Sequence, residues 1–295
     1  MGKDVFLAMR PYQWIKNLFV FVPLLFGHRL FEVSAFLKTT WIFILFSFIA
    51  SAIYLINDII DLENDREHPD KRLRQLASGK ITALQAKITA SVLGASALVC
   101  SFILDVRVTG VLIAYVVLNG LYMNFLKKEV ILDAFCIGGF FYLRILAGSV
   151  AGEVILSNWL ILCTILLALF LAFNKRHYDM RLGKKGSLVK NNYSKYFIDR
   201  MVSIHAASIV IAYALYAIDP KTTVKFGTDH LLYTIPFVYY GLFRYLYLID
   251  KKRLGGDPTR ILFRDHKMQV NLLLWIFACI GIIYLKLQMT VPKPT

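Results

Sequence analysis

An acidic segment between residues 57 and 65 has the residue types and spacing of a metal-ion site. Asn57, Asp61 and Asp65 are four residues apart, and Asp58 lies three residues before Asp61. On a helix these positions share one face, so four oxygen-bearing side chains would converge there. Carboxylates this close repel unless a cation lies between them, and such oxygen ligands suit Mg²⁺ bound to substrate phosphates. The spacing predicts a magnesium-dependent diphosphate site whose three aspartates also act in catalysis.

Basic residues follow the acids along the chain. After a proline-containing turn at 68–70 come Lys71, Arg72 and Arg74. Mg²⁺ can neutralise the bridging oxygens of a diphosphate, while Lys and Arg hold its outer oxygens through charge-assisted hydrogen bonds. Two plainer interpretations stay open: the acids pair with these neighbouring cations at a solvated helix end, or the basic residues only retain the loop in the cytoplasm.

A second charged segment follows a later apolar run. Lys175 and Arg176 end that run, and Asp179 is the next acid. If this segment faces the first, Asp179 would complete the metal shell as a further catalytic residue, and the two cations would bind phosphate. A Lys-Arg pair at a helix end is also an ordinary membrane-interface anchor, so this alternative stays open.

Four isolated residues are further candidates for substrate binding: Lys16, Tyr122, Lys127 and Arg144. Arg144 is the most informative, because it lies inside an apolar run, where a charge is costly and usually faces a polar cavity. Lys127 belongs to a basic pair that also fits an interface anchor.

The elements that carry these residues are long apolar segments. The 295-residue chain is 58% hydrophobic, and apolar runs of about 20 residues match a hydrocarbon layer about 30 Å thick. The sequence therefore predicts an all-α integral membrane bundle of about nine transmembrane helices. The predicted spans are 17–31, 39–60, 86–104, 108–126, 130–151, 156–174, 201–218, 230–249 and 269–287.

The charge distribution predicts the orientation. The formal net charge of +15 is spread over short segments between the runs, which argues against a nucleic-acid partner. Most Lys and Arg lie on the side of the N-terminus, so we expect the N-terminus and the active site on the cytoplasmic side of the cell (inner or plasma) membrane. No Gly/Ser/Pro-rich linker divides the chain, which predicts a single domain over 1–295. A homo-oligomer is compatible with the sequence.

The NDxxDxxxD pattern at 57–65, after the second of nine spans, resembles the UbiA superfamily of intramembrane transferases, and the resemblance covers essentially the whole chain. It implies a UbiA-type helical bundle with Mg²⁺ as cofactor. Within that superfamily the sequence is similar to the decaprenyl-phosphate phosphoribosyltransferases. The segments that carry this likeness are Arg10–Asn17, the run from Asn57 through His68, Pro69 and Asp70 to Arg72, Leu126-Lys127 with Leu132-Asp133, Arg144–Gly148, Lys175-Arg176 and Arg264-Asp265.

This resemblance implies transfer of a 5-phosphoribosyl group from phosphoribosyl diphosphate to a membrane polyprenyl phosphate, as in cell-wall biosynthesis. Prenyl-diphosphate transferases usually carry a DxxxD-type motif in the second charged segment, whereas only Asp179 appears there. That departure favours the phosphoribosyl donor. One alternative is a prenyltransferase that acts on an aromatic or quinone-precursor acceptor. Another is a lipid or ion transporter, although transporters usually place their sites near the membrane midplane.

Overall fold

The computed structural model describes residues 2–67, 71–181, 193–252 and 258–285, and within these ranges the regular elements are helices without a strand. The α-helices in chain order are α1 (Gly2–Ala8), α2 (Val22–Phe26), α3 (Val33–Ile60), α4 (Leu62–Glu67), α5 (Ala83–Leu104), α6 (Val106–Asn124), α7 (Leu132–Gly152), α8 (Asn158–Arg181), α9 (Lys195–Ile218), α10 (Pro220–Phe226), α11 (Ile235–Lys252), α12 (Pro258–Arg264) and α13 (His266–Tyr284). Four 3₁₀ helices complete the set: Pro11–Phe21, Lys71–Leu73, Leu126–Lys128 and His230–Thr234.

Seven of these helices are long and apolar enough to cross a membrane: α3, α5, α6, α7, α8, α9 and α13. The prediction of a multi-pass, all-helical membrane protein is therefore confirmed. The other two expected spans have a different local structure. The first is the 3₁₀ helix Pro11–Phe21 followed by α2, with a proline near the start of each piece. The eighth is a short 3₁₀ helix followed by α11, whose last turn is charged.

The chain forms two compact units, residues 1–156 and 157–295, and the prediction of one domain over 1–295 stays a prediction. In the first unit, α3 packs against α5, α7 and the 3₁₀ helix Pro11–Phe21. Its core contains the fully buried side chains of Phe46, Leu112 and Val20 together with Ile49 and Ala147. Burial of each large apolar side chain contributes about 1.5–3 kcal/mol when the alternative is water.

In the second unit, α8 packs along α9 and α11 packs along α13. Phe173 is buried among aromatic rings that include Tyr193 and Phe197. A polar contact links α9 to α13, because Trp275 Nε1 donates a hydrogen bond to the Tyr213 hydroxyl at 3.1 Å. Side-chain hydrogen bonds of this kind hold helices together where the surroundings are apolar.

Short connections between the helices are fixed by local capping. Thr82 and Gln85 form a reciprocal capping box at the start of α5, with the Thr82 Oγ1 accepting from the Gln85 amide at 3.2 Å and the Gln85 Oε1 accepting from the Thr82 amide at 2.9 Å. Asp105 is the single residue between α5 and α6, and its carboxylate accepts from the Arg107 amide at 2.8 Å. Both contacts satisfy backbone donors that a helix start leaves without partners.

A close backbone approach joins α7 to the N-terminal 3₁₀ helix. A Cβ atom added to Gly148 would lie 1.8 Å from the carbonyl oxygen of Val20. Because that neighbour is backbone, no rotamer change can make room, so only glycine allows the two elements to pack this closely.

We expect Gly148→Ala to lower the free energy of unfolding by about 1–3 kcal/mol, because the added methyl group must push the two elements apart. Thermal unfolding of the purified protein in detergent measures the change. Gly110→Ala is the matched control, since a Cβ at this helical glycine meets no atom within 4 Å; equal stability losses in the two variants would contradict the prediction.

Candidate active site

The acidic segment lies where α3 passes into α4. Asn57 and Asp58 belong to the last turn of α3, Asp61 separates the two helices, and Asp65 belongs to α4. The backbone continues with helical spacing, since the Asp61 amide donates to the Asn57 carbonyl at 2.9 Å and the Asp65 amide to the Asp61 carbonyl at 2.8 Å. The Asn57 side chain donates to Asp61 Oδ2 at 3.3 Å. Residues four positions apart in this segment therefore lie next to each other, as their spacing predicts.

Two of the acids are buried and share a guanidinium group. Asp58 and Asp65 are 5% and 1% exposed. Nη1 of Arg74 donates to Asp58 Oδ1 at 3.0 Å and to Asp65 Oδ2 at 2.5 Å. Lys71 Nζ lies 3.5 Å from Asp65 Oδ1. The cations that follow the acids in sequence therefore fold back onto them.

Arg10, which begins one of the segments that carry the family resemblance, also contacts the acids. Its guanidinium donates to Asp58 Oδ1 and lies over the ring of Tyr54, 5.0 Å from the centroid. The residue has left-handed backbone angles, φ 55° and ψ 58°, just before the 3₁₀ helix. Trp14 anchors that helix to α3 by donating to Ser51 Oγ at 3.0 Å. The available sequence signal was a cation next to the first apolar run, on the side of the membrane where the acids were expected.

The electrostatics of Arg10 follow from this contact. Burial acts to lower the pKa of the guanidinium, while the carboxylate of Asp58 and its hydrogen bond raise it, and the net effect is a raised pKa. Arg10 therefore stays charged near neutral pH.

Lys127 comes to the acids from a third part of the chain. It lies in the 3₁₀ helix Leu126–Lys128 between α6 and α7, and its Nζ is 3.8 Å from Asp61 Oδ2. The other residues of the first unit that were predicted to bind phosphate or substrate differ in their exposure to solvent. Arg72 is exposed, while Lys16 and Tyr122 are half-buried. The segment His68, Pro69 and Asp70 lies outside the described residues.

The donor set suits a divalent cation in chemical type, since it consists of carboxylate and amide oxygens. Asp65 Oδ1 is buried and accepts no hydrogen bond, which leaves its lone pairs for a cation. In the described part of the chain, however, no group of three or more His, Cys, Asp or Glu side chains is arranged closely enough to hold a metal ion. The assignment of Asn57, Asp58, Asp61 and Asp65 as metal ligands stays a prediction.

Arg144 makes its hydrogen bonds with neutral partners. The side chain is 4% exposed and donates to Asn17 Oδ1 at 2.8 Å, to the Phe140 carbonyl at 2.8 Å and to the Tyr115 hydroxyl at 2.9 Å. Its guanidinium also lies 5.3 Å from the ring centroid of Phe46. This network joins the N-terminal 3₁₀ helix, α6 and α7, so the geometry favours a structural role over the predicted substrate contact, which no observation tests.

We expect Arg144→Lys to lower the free energy of unfolding by about 1–3 kcal/mol, because an ammonium group cannot reach all three acceptors and leaves buried polar atoms without partners. Thermal unfolding in detergent measures this loss. Arg107→Lys is the control, since the exposed Arg107 forms its ion pair with the neighbouring Asp105. Unchanged stability of Arg144→Lys together with lost substrate binding would instead place this residue in the substrate site.

The second charged segment belongs to the second unit, at the end of α8. Lys175 is exposed, Arg176 is buried and Asp179 is half-buried. The neighbouring His177 is buried, and its Nε2 lies 3.2 Å from Oδ1 of Asp199 on α9. Asp199 is thus an acid near this segment that sequence spacing did not suggest. The role of Asp179 in a metal shell stays a prediction.

Known proteins resemble the chain over almost its full length. The model of the UbiA prenyltransferase family matches residues 18–273. The chain belongs to this family. Decaprenyl-phosphate phosphoribosyltransferase of Mycobacterium tuberculosis is 31% identical over 282 residues, which cover 93% of this chain and 92% of that protein. The enzyme of the same name from Corynebacterium glutamicum is 31% identical over 287 residues, covering 94% and 86%. The family resemblance and the prediction of a transferase are confirmed.

Solved structures confirm the UbiA-type fold. A UbiA homologue from Archaeoglobus fulgidus bound to GPP and Mg²⁺ superimposes with a TM-score of 0.70 at 18% identity, covering 95% of this chain and 99% of that one. At this low sequence identity, the match shows a shared fold and nothing further.

Proposed function

We propose that this UbiA-family transferase moves the 5-phosphoribosyl group of phosphoribosyl diphosphate onto a membrane polyprenyl phosphate and releases diphosphate. The observation that carries the proposal is that basic side chains from three separate chain segments contact the acids at 57–65. Such a site suits a donor with more negative charge than a prenyl diphosphate, since phosphoribosyl diphosphate carries a further phosphate. The relatives named decaprenyl-phosphate phosphoribosyltransferase support the same donor and acceptor class.

In this proposal the acids and the cations have separate tasks. Asn57, Asp61 and Asp65 hold a divalent cation, with Mg²⁺ the expected ion because all the donors are oxygens. When bound, such an ion neutralises charge on the departing diphosphate. Basic side chains bind the phosphate oxygens through charge-assisted hydrogen bonds. The residues proposed to bind the substrates are Lys16, Lys71, Arg72, Arg74, Tyr122, Lys127, Lys175 and Arg176. Asp179 is proposed to contact either the ribose or the metal ion.

The reaction is a displacement at the anomeric carbon of ribose. An oxygen of the polyprenyl phosphate forms the new bond to that carbon, and the bond to the diphosphate oxygen breaks with its electron pair going to diphosphate. The acceptor phosphate is already largely ionised near neutral pH, so no general base is needed. The protein contributes positioning and stabilisation of the charge that develops on the leaving group.

The orientation proposed from the charge distribution matches this chemistry. The acids at the end of α3 would then lie at the cytoplasmic boundary of the cell membrane, where a water-soluble donor reaches them while the acceptor tail stays in lipid. The proposal treats 1–295 as one transferase domain.

Incubation of the purified protein with Mg²⁺, labelled phosphoribosyl diphosphate and polyprenyl phosphate tests the proposal. We expect label in the extracted lipid and a product mass that equals polyprenyl phosphate plus a phosphoribosyl group. Omission of the divalent cation should abolish the transfer. Absence of labelled lipid under conditions in which the protein is folded would refute the phosphoribosyl donor.

A prenyltransferase that acts on an aromatic or quinone-precursor acceptor is the second candidate. It is favoured by the fold shared with the GPP-bound UbiA homologue. The same preparation, given a labelled polyprenyl diphosphate and an aromatic acid such as 4-hydroxybenzoate, separates the two: prenylation of the aromatic ring without phosphoribosyl transfer supports the second candidate.

We expect Asp61→Asn and Asp65→Asn each to lower turnover by about 100-fold or more, because each removes a carboxylate charge from the proposed cation site. Initial rates of lipid labelling measure the loss, and thermal unfolding checks that the variants fold. Glu63→Gln is the matched control, since this exposed acid of α4 lies between the two positions and its change removes the same charge. Full activity in both aspartate variants would remove these acids from the site.

A further inference from the structure

Arg74 supplies the positive charge between Asp58 and Asp65 in this structure. Its Nη1 atom donates to both carboxylates, at 3.0 and 2.5 Å. We propose that Arg74 is an internal counter-ion that is exchanged when substrate binds: its guanidinium leaves Asp65 for the diphosphate group as the divalent cation binds to Asp65. This inference rests on the proposed function, because it concerns how that same site binds its ligands.

The ligand-free site needs such a counter-ion. Asp58 and Asp65 are almost completely buried, and two carboxylates that contact the same guanidinium repel each other. Burial of an uncompensated charge is also costly. With Arg10, Lys71 and Arg74 around them, the two carboxylates face three cations, so both negative charges are compensated before any ligand arrives.

The surroundings of the two carboxylates differ, and this difference decides which carboxylate exchanges Arg74 for a metal ion. Asp58 has a second guanidinium, that of Arg10, which is held over Tyr54 and whose backbone carbonyl accepts from the Gln13 amide at 2.8 Å. Asp58 therefore keeps a cation when Arg74 departs. Asp65 instead has Oδ1 buried without a hydrogen bond, with Lys71 Nζ 3.5 Å away. Asp65 is thus the carboxylate that is ready for a metal ion.

The side chain of Arg74 is better placed to move than that of Arg10. Their exposed fractions are 26% and 15%, and Arg74 directly follows a single 3₁₀ turn, Lys71–Leu73. A planar guanidinium binds phosphate oxygens through two parallel hydrogen bonds, so a diphosphate offers it a partner as good as the carboxylates it leaves.

Cooperative binding follows from this exchange. A metal ion that arrives alone at Asp65 is repelled by the positive charge of Arg74 and offers Arg74 no new partner, so it binds weakly. A diphosphate gives Arg74 that partner and frees Asp65. By linkage, the diphosphate and the metal raise each other's affinity by the same factor.

Binding of Mn²⁺ alone tests the counter-ion. Mn²⁺ is titrated into the purified full-length protein without diphosphate, and the free ion is measured by electron paramagnetic resonance. We expect Arg74→Gln to bind Mn²⁺ about tenfold more tightly than the wild type, since a hydrogen bond to a charged group contributes on that order. Arg66→Gln is the matched control: it removes the same charge from an exposed residue next to Asp65 and should bind like the wild type.

Arg74→Lys provides a second variant, in which the retained charge should keep Mn²⁺ binding weak. Equilibrium dialysis with labelled diphosphate then measures the coupling. Mn²⁺ should strengthen diphosphate binding by a larger factor in the wild type than in Arg74→Gln.

The outcomes separate this inference from the proposed function. Equal Mn²⁺ affinity in the wild type, Arg74→Gln and Arg66→Gln, with tight binding in all three, would overturn the exchange at Arg74 and leave the metal site intact. If the wild type binds no more Mn²⁺ than Asp65→Asn, with or without diphosphate, the metal assignment of the proposed function fails and the exchange fails with it.

Discussion

Charge that is removed from water must be neutralised, and the first unit of this protein is organised around that requirement. Asp58 lies in the last turn of the apolar helix α3 and Asp65 in the short helix α4 that follows, and both are nearly inaccessible to solvent. They are stable there because Arg10 and Arg74 contact them from other parts of the chain. The N-terminal segment, the turn after α4 and the junction of α6 with α7 all meet the acids at 57–65. The acidic segment therefore fixes where these three connections lie.

The same requirement is met in a different way deeper in the bundle. Arg144 hydrogen-bonds to an amide, a backbone carbonyl and a phenol, and aromatic faces surround its guanidinium. The hydrogen bonds and aromatic faces solvate this cation, and the same contacts join the N-terminal 3₁₀ helix, α6 and α7. The cations around the acids differ, because a polyanionic ligand can compete with the carboxylates for them. Position and partners, rather than residue type, distinguish Arg144 from the cations around the acids.

A site of paired acids and cations suits transfer chemistry that needs little covalent participation by the protein. The proposed phosphoribosyl transfer requires a leaving diphosphate to be held and its charge to be balanced, and a lipid phosphate to be brought close to the anomeric carbon. Family membership and the relatives over 90% of the chain agree with a membrane transferase of this kind. The exchange proposed for Arg74 would leave each of the two buried acids with a cation both before and after the ligands bind.

The sequence by itself determined seven of the nine expected membrane-spanning helices, their membrane character and the local arrangement of the acids. The length of an apolar run predicts a membrane span, and a spacing of four residues predicts that side chains share one face of a helix. Both predictions need only residues that are close together in the sequence. Only the tertiary structure decided that Arg10 and Lys127 also meet the acids and that Arg144 bonds to neutral partners. Arg10 and Asp58 are 48 residues apart, and Arg144 and Asn17 are 127 apart. Such pairs depend on how helices pack, including the close approach that Gly148 permits, and no local pattern encodes that packing.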